Sequence, residues 1–134
     1  MALQPYLSFD GRCEEALAFY HEALGAEVAM LLRWKDSPDP AMCQPGNEDK
    51  IMHAAFRVGD ATIMASDGSC RGQPKFAGFA LSLTAPDAAA ADRLFAALAA
   101  GGEVQMPLGR TFFSPSFGMV ADRFGVPWMV YVEP

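Results

Sequence analysis

Few residues in this chain can do more than pack. His53 lies in the run His53-Ala-Ala-Phe-Arg-Val58, among apolar neighbours. An imidazole there suits general-base work, or it is a half-buried ring satisfied by a backbone carbonyl. Arg110 precedes Thr111-Phe-Phe113. Beside aromatics, a guanidinium can hold a carboxylate or phosphate with two parallel N–H donors, or it can be a plain surface charge. Asp67, before Gly68, and Asp122, in Asp122-Arg-Phe-Gly125, are possible working carboxylates that can equally bond their own turns. Tyr6, Phe112, Phe113, Phe117 and Trp128 are flat apolar surfaces, for a ligand or for the core. His21 falls on the polar side of a helical stretch and faces solvent. Cys43 and Cys70 sit in loops without a nearby His or Lys to activate a thiol, so no nucleophile is indicated. The sequence has no Gly-x-Ser-x-Gly turn, no His-x-x-x-His helix and no glycine loop followed by Lys and Ser/Thr.

These residues need a scaffold, and the pattern supplies one twice. Leu3 to Phe9 alternates apolar and polar residues, which predicts a half-buried strand with Pro5 near its opening. Asp10 is a plausible N-cap for a helix over 12–24, whose stripe is Cys13, Leu17, Tyr20 and Leu24, with Ala16 and Ala23 beside it. Glu14 and Glu15 suit its first turn, and Gly25 its end. Strands follow at 27–34, 51–58 and 61–66, with a Pro/Asp/Gly-rich loop over 35–49 and a Gly59-Asp60 turn. After a second loop at 67–75 the order restarts. A strand over 76–84 leads to a helix over 86–100, with Thr84 as N-cap and Ala91, Leu94, Phe95 and Leu98 as its stripe. A short strand over 103–106, a loop over 107–116 and a hairpin over 117–121 and 127–132 complete it, with Gly125 taking positive φ in the turn. The fold class is α+β: two βαβββ modules, 1–69 and 76–134, forming curved mixed sheets within a single domain over 1–134. Each helix covers one sheet face, and the uncovered faces are expected to enclose a central cavity for a small-molecule ligand.

Composition narrows the function classes. The 134 residues are 51% hydrophobic and 19% charged, enough apolar material for a core. With a net charge of −6 and no two basic residues adjacent, a nucleic-acid surface is not expected. No apolar run is long enough to span a bilayer, and no leader pattern opens the chain, so no membrane partner is expected. Cys13, Cys43 and Cys70 are widely spaced and fit free thiols in a cytoplasmic setting.

The double βαβββ order, with Pro5-Tyr-Leu-Ser-Phe-Asp-Gly-Arg-Cys-Glu-Glu-Ala-Leu-Ala-Phe-Tyr20 at the front, resembles the vicinal-oxygen-chelate superfamily of glyoxalase I, extradiol dioxygenases and bleomycin- and fosfomycin-resistance proteins. Met106-Pro-Leu108, Thr111-Phe-Phe113 and Phe117-Gly-Met-Val-Ala-Asp-Arg-Phe-Gly-Val-Pro-Trp-Met-Val130 look like its PhnB-like branch. That branch often carries a ubiquinone-methyltransferase label, but the sequence has no Gly-x-Gly-x-Gly loop after a strand. The superfamily's enzymes hold one divalent metal with four side chains, one from each of four strands. Counting from Phe19-Tyr20, the first position falls at Pro5, or at Gln4 or Tyr6 with a slip of one. The second falls at Met64, or Ser66; the third at Phe79, or Gly78; the last at Met129. The resemblance with these substitutions implies no metal and no cofactor. It also implies a homodimer and a protein that encloses a small aromatic or anionic molecule, with Tyr6, Arg110, Phe112, Phe117 and Trp128 as ligand-binding candidates. The alternative is a superfamily-type isomerase, lyase or dioxygenase with a displaced metal site or acid–base catalysis by His53.

Overall fold

The structure is a computed structural model that describes residues 1–38, 45–68 and 75–134. The chain divides into two units, Met1–Pro74 and Lys75–Pro134, each with one helix and one four-stranded mixed sheet. Cys43 and Cys70, and parts of the two long loops, lie outside the described residues.

The first unit runs β1 (Tyr6–Ser8), α1 (Cys13–Leu24), β2 (Glu27–Arg33), a 3-10 turn (Trp34–Asp36), β3 (Ile51–Val58) and β4 (Ala61–Ser66). Its sheet order is β1-β4-β3-β2, with β1 parallel to β4 and the other pairs antiparallel. Helix α1 buries Cys13, Ala16, Leu17 and Tyr20, the expected stripe, while Leu24 is half-buried. The Tyr20 ring stacks on Phe56, centroids 5.6 Å apart, so one sheet face belongs to the helix. Leu7, Ala54, Phe56, Ile63 and Ala65 are buried on that face.

Strand β1 is shorter than the alternation predicts. Leu3 has nothing to pack against and is fully exposed, although backbone pairing extends to Pro5, whose carbonyl accepts from Met64 N at 2.9 Å. Asp10 does not cap α1. It takes a left-handed φ of 52°, and Arg12 occupies the cap position without a side-chain capping bond. The cap comes instead from Asp67, whose Oδ1 accepts from Gly11 N at 2.9 Å and Cys13 N at 2.8 Å.

The second unit runs β5 (Leu81–Ala85), α2 (Ala88–Ala99), β6 (Glu103–Gly109), β7 (Ser116–Ala121) and β8 (Pro127–Val132), in sheet order β5-β8-β7-β6. Helix α2 buries Ala90, Ala91, Phe95 and Leu98. Asp87, not Thr84, is its N-cap and accepts from Ala90 N at 2.8 Å. Thr84 remains inside β5. The expected strand over 76–84 begins only at Leu81, and β6 continues through Pro107 to Gly109 rather than stopping at Met106. Proline is tolerated there because β6 is an edge strand. Gly118 matters for packing: a Cβ on it would stand 2.7 Å from Phe95 Cε2 and 3.0 Å from Leu108 Cα. Among the described residues no helix is long and apolar enough to cross a membrane.

Candidate functional site

Each sheet has one face not packed by its helix, and strand register decides which side chains stand on it. In the first sheet Tyr6 pairs with Met64, Met64 with Ala55, and Ala55 with Met30. Those four share a face, and His53, paired with Leu32, stands two residues from Ala55 on the same side. Tyr6 Oη lies 3.2 Å from His53 Nδ1, and their rings stack at 5.7 Å with a 30° tilt. Thus two of the predicted residues, 47 positions apart in sequence, meet. Tyr6 is 50% exposed and His53 half-buried. Ser66 and its partner Ser8 stand one step further along this face, and the Ser66 hydroxyl accepts from Gly68 N at 3.0 Å; Thr62, Arg57 and Glu27 form the row at its other end.

In the second sheet the corresponding face carries Met129, Met119 and Met106 in one row, and Tyr131 opposite Phe117 in the next. Phe113 closes on this row, with its ring 5.1 Å from Phe117, 6.5 Å from Tyr131 and 5.2 Å from Phe112. The turn that delivers Phe113 is tied down. Thr111 Oγ1 accepts from Phe113 N at 3.3 Å and Ser114 N at 3.0 Å. Ser114 Oγ is close to two carbonyl oxygens, that of Val132 at 2.6 Å and that of Ser116 at 2.8 Å. Sequence reasoning passed over Thr111 and Ser114; Thr-x-x-Ser between aromatics is the signal that could have found them.

The other predicted residues are dispersed. Arg110 is exposed in the β6–β7 connection, without a hydrogen-bond or ion-pair partner among the described residues. Phe112 is fully exposed. Trp128 is 2% exposed, on the same side as Val120 and Val130, the side packed by α2, and its Nε1 donates to Asp122 Oδ2 at 2.9 Å. His21 is exposed, with Nδ1 2.8 Å from the Ala26 carbonyl oxygen.

Both buried aspartates build structure. Asp122 Oδ1 accepts from Phe124 N at 2.9 Å and Val126 N at 3.1 Å, shaping the β7–β8 turn. Asp67 reaches further: besides the α1 terminus, its Oδ2 accepts from Ile51 N at 2.7 Å. Cys13 lies beneath it, fully buried. Burial pushes its thiol up to about 12, with Asp67 and then Glu14 adding to the effect, so it stays neutral and unreactive.

The positions that the resemblance assigns to metal ligands can be tested by donor chemistry. Phe79 precedes β5 rather than standing on it, and neither Pro5 nor Phe79 has a lone pair to offer from its side chain. Met64 and Met129 offer only thioethers, which hard or borderline divalent cations bind poorly. The slipped alternatives add Gln4, Tyr6, Ser66 and Gly78, no three of which form a ligand set of the usual kind. Among the described residues, no three His, Cys, Asp or Glu side chains gather where they could hold an ion. The residues present do not fit the four-ligand site.

A family model described as Glyoxalase/Bleomycin resistance protein/Dioxygenase superfamily matches residues 2–130. The chain is 38% identical over 140 residues to Protein YjdN of Escherichia coli (strain K12), covering 98% of this chain and 95% of that protein. Protein PA1353 from Pseudomonas aeruginosa, a crystal structure, is 47% identical with a TM-score of 0.86, over 98% of each chain. The PhnB protein from Bacillus cereus, described as a putative 3-demethylubiquinone-9 3-methyltransferase, is 29% identical with a TM-score of 0.83, over 98% of this chain and 99% of that one.

Proposed function

The chain belongs to the glyoxalase/bleomycin resistance protein/dioxygenase superfamily, in its PhnB-like branch, and from that premise we propose that it is a metal-independent small-molecule-binding protein. One observation carries the reading. The positions that the resemblance assigns to metal ligands hold Pro5, Met64, Phe79 and Met129, or Gln4 or Tyr6, Ser66 and Gly78 with a slip in register, while the scaffold that would present a ligand face is retained. Apolar side chains at those positions favour an apolar ligand body over an ion. The name of the Bacillus cereus protein supplies no better reading, because a methyltransferase of the Gly-rich-loop type needs a Gly-x-Gly-x-Gly loop that this sequence lacks.

Elemental analysis of protein purified without chelator is the first test, and we expect no stoichiometric divalent ion. One tightly held ion per chain overturns the proposal. A thermal-shift screen against metabolites and antibiotics then finds the ligand, since binding to the folded state alone raises the melting temperature. The hydrogen bond between Tyr6 and His53 favours a second reading, acid–base catalysis by His53. Turnover of a screened compound, lost in His53→Ala while binding persists, would select it. The superfamily's habit also supports a symmetric homodimer, checked by sedimentation velocity.

A further inference from the structure

Resting on the binding-protein reading, we propose that Tyr6 and His53 are the polar anchor of the ligand site, and that the ligand is an organic oxyanion with an apolar body. The two groups are 3.2 Å apart, which is hydrogen-bonding distance for Oη and Nδ1. Of the neutral pair, phenol is the stronger acid and the imidazole nitrogen the better acceptor, so the Tyr6 hydroxyl donates to Nδ1. The ring proton of His53 then sits on Nε2. That nitrogen has no hydrogen-bond partner among the described residues. Stacking on Tyr6 and the Nδ1 bond together fix the ring plane, so Nε2–H is a donor set in place before any ligand arrives. Tyr6 is therefore a positioning residue, and His53 the group that touches the ligand.

The surroundings select the class. Met64, Met30 and Leu32 flank the pair on the same face and suit an apolar body. No carboxylate stands in their rows. Of the strand residues paired across this face, charge enters only at Arg57, where Glu27 stands opposite with the contrary sign. In a chain of net charge −6, this is a patch where an anion meets no unbalanced repulsion from its own rows. A carboxylate, sulfonate or phosphonate oxygen accepting from Nε2–H makes a charge-assisted bond.

The test uses the complete chain and two dyes of one ring system, the anionic 8-anilinonaphthalene-1-sulfonate and neutral N-phenyl-1-naphthylamine. Wild type is expected to bind the sulfonate roughly tenfold more tightly, from one hydrogen bond to a charged group. His53→Phe keeps a ring on the face, and should lower sulfonate affinity by about that factor while changing the neutral dye by less than about twofold. Nitrogen-15 NMR of the imidazole should report the Nε2–H tautomer in wild type and a mixture in Tyr6→Phe, a change that a merely structural role would not produce. An Nδ1–H tautomer, no preference for the sulfonate, or equal loss of both dyes in His53→Phe overturns the anchor and leaves the binding-protein reading standing. A wild type that binds neither dye removes both.

Discussion

The two sheets share one strand order and differ in how they are fastened and in what their open faces carry. In the first unit a single carboxylate, Asp67, joins the α1 terminus to the start of β3. The second unit divides the work. Asp87 caps α2 with one bond, and Asp122 shapes a turn and holds Trp128. The open faces diverge likewise, with a hydrogen-bonded Tyr6–His53 pair on one and a Phe113–Phe117–Tyr131 cluster on the other. A duplicated backbone thus tolerates separate fastenings and separate surface chemistries, because each fastening acts within its own unit.

The sharpest way to break that contrast is at the fastenings. Asp67→Ala leaves three backbone N–H groups without their carboxylate, two of them buried, and should cost about 4 kcal/mol in urea unfolding. Asp87→Ala removes one exposed-end cap and should cost about 1 kcal/mol. Equal costs would erase the distinction between a shared fastening and a divided one.

The packed faces give the next largest effect. Leu7–Ala65–Ala54 in the first sheet and Leu83–Val130–Gly118 in the second stand in matching strand order. Gly118→Ala drives a methyl toward Phe95 and the Leu108 backbone and should cost about 2 kcal/mol. Ala54→Gly, its converse in the first unit, should cost about 1 kcal/mol through chain entropy and a lost methyl contact.

These fastenings show what the sequence discloses and what it withholds. The stripes of α1 and α2 are legible because a helix repeats over a few residues, and Cys13, Leu17, Tyr20, Phe95 and Leu98 are all buried. Asp67 is not legible as a cap, because its partner Gly11 is 56 residues away and Asp10 stands at the expected place. Thr84 hides Asp87 in the same manner, since Thr-x-x-Asp offers two cap candidates and only backbone geometry chooses between them. In β8, Trp128, Val130 and Val132 alternate with Met129 and Tyr131, and both sets are apolar. Period two separates the sets but does not say which one meets α2. The Tyr6–His53 pair joins two strands that pair through a third, a register that neither segment encodes alone.

Alkaline unfolding sharpens the comparison further, because Cys13 beneath Asp67 belongs to the first unit's fastening. Its thiol is raised from 9.0 to about 12 by burial and neighbouring carboxylates. Between those values the unfolded chain has lost the proton and the folded chain keeps it. The contribution is intact below pH 9 and declines by about 1.4 kcal/mol per pH unit above it. Urea midpoints from pH 8.5 to 10.5 should therefore fall more steeply in wild type than in Cys13→Ala, and parallel slopes would contradict the burial argument.

The smallest expected effect lies on the open face of the second unit. Phe112 is fully exposed, while Phe113, beside it on the same tied turn, packs on Phe117 and Tyr131. Exposed apolar area adds nothing to folding, so Phe112→Ser should change stability by less than about 0.5 kcal/mol. Phe113→Ser loses its aromatic neighbours and should cost about 1 kcal/mol. The gap between them measures whether the Thr111–Ser114 tie serves the cluster, by setting one ring in and one ring out. If the two variants unfold alike, the cluster contributes no more than its fully exposed neighbour, and the second face has no organised aromatic surface to set against the polar pair of the first.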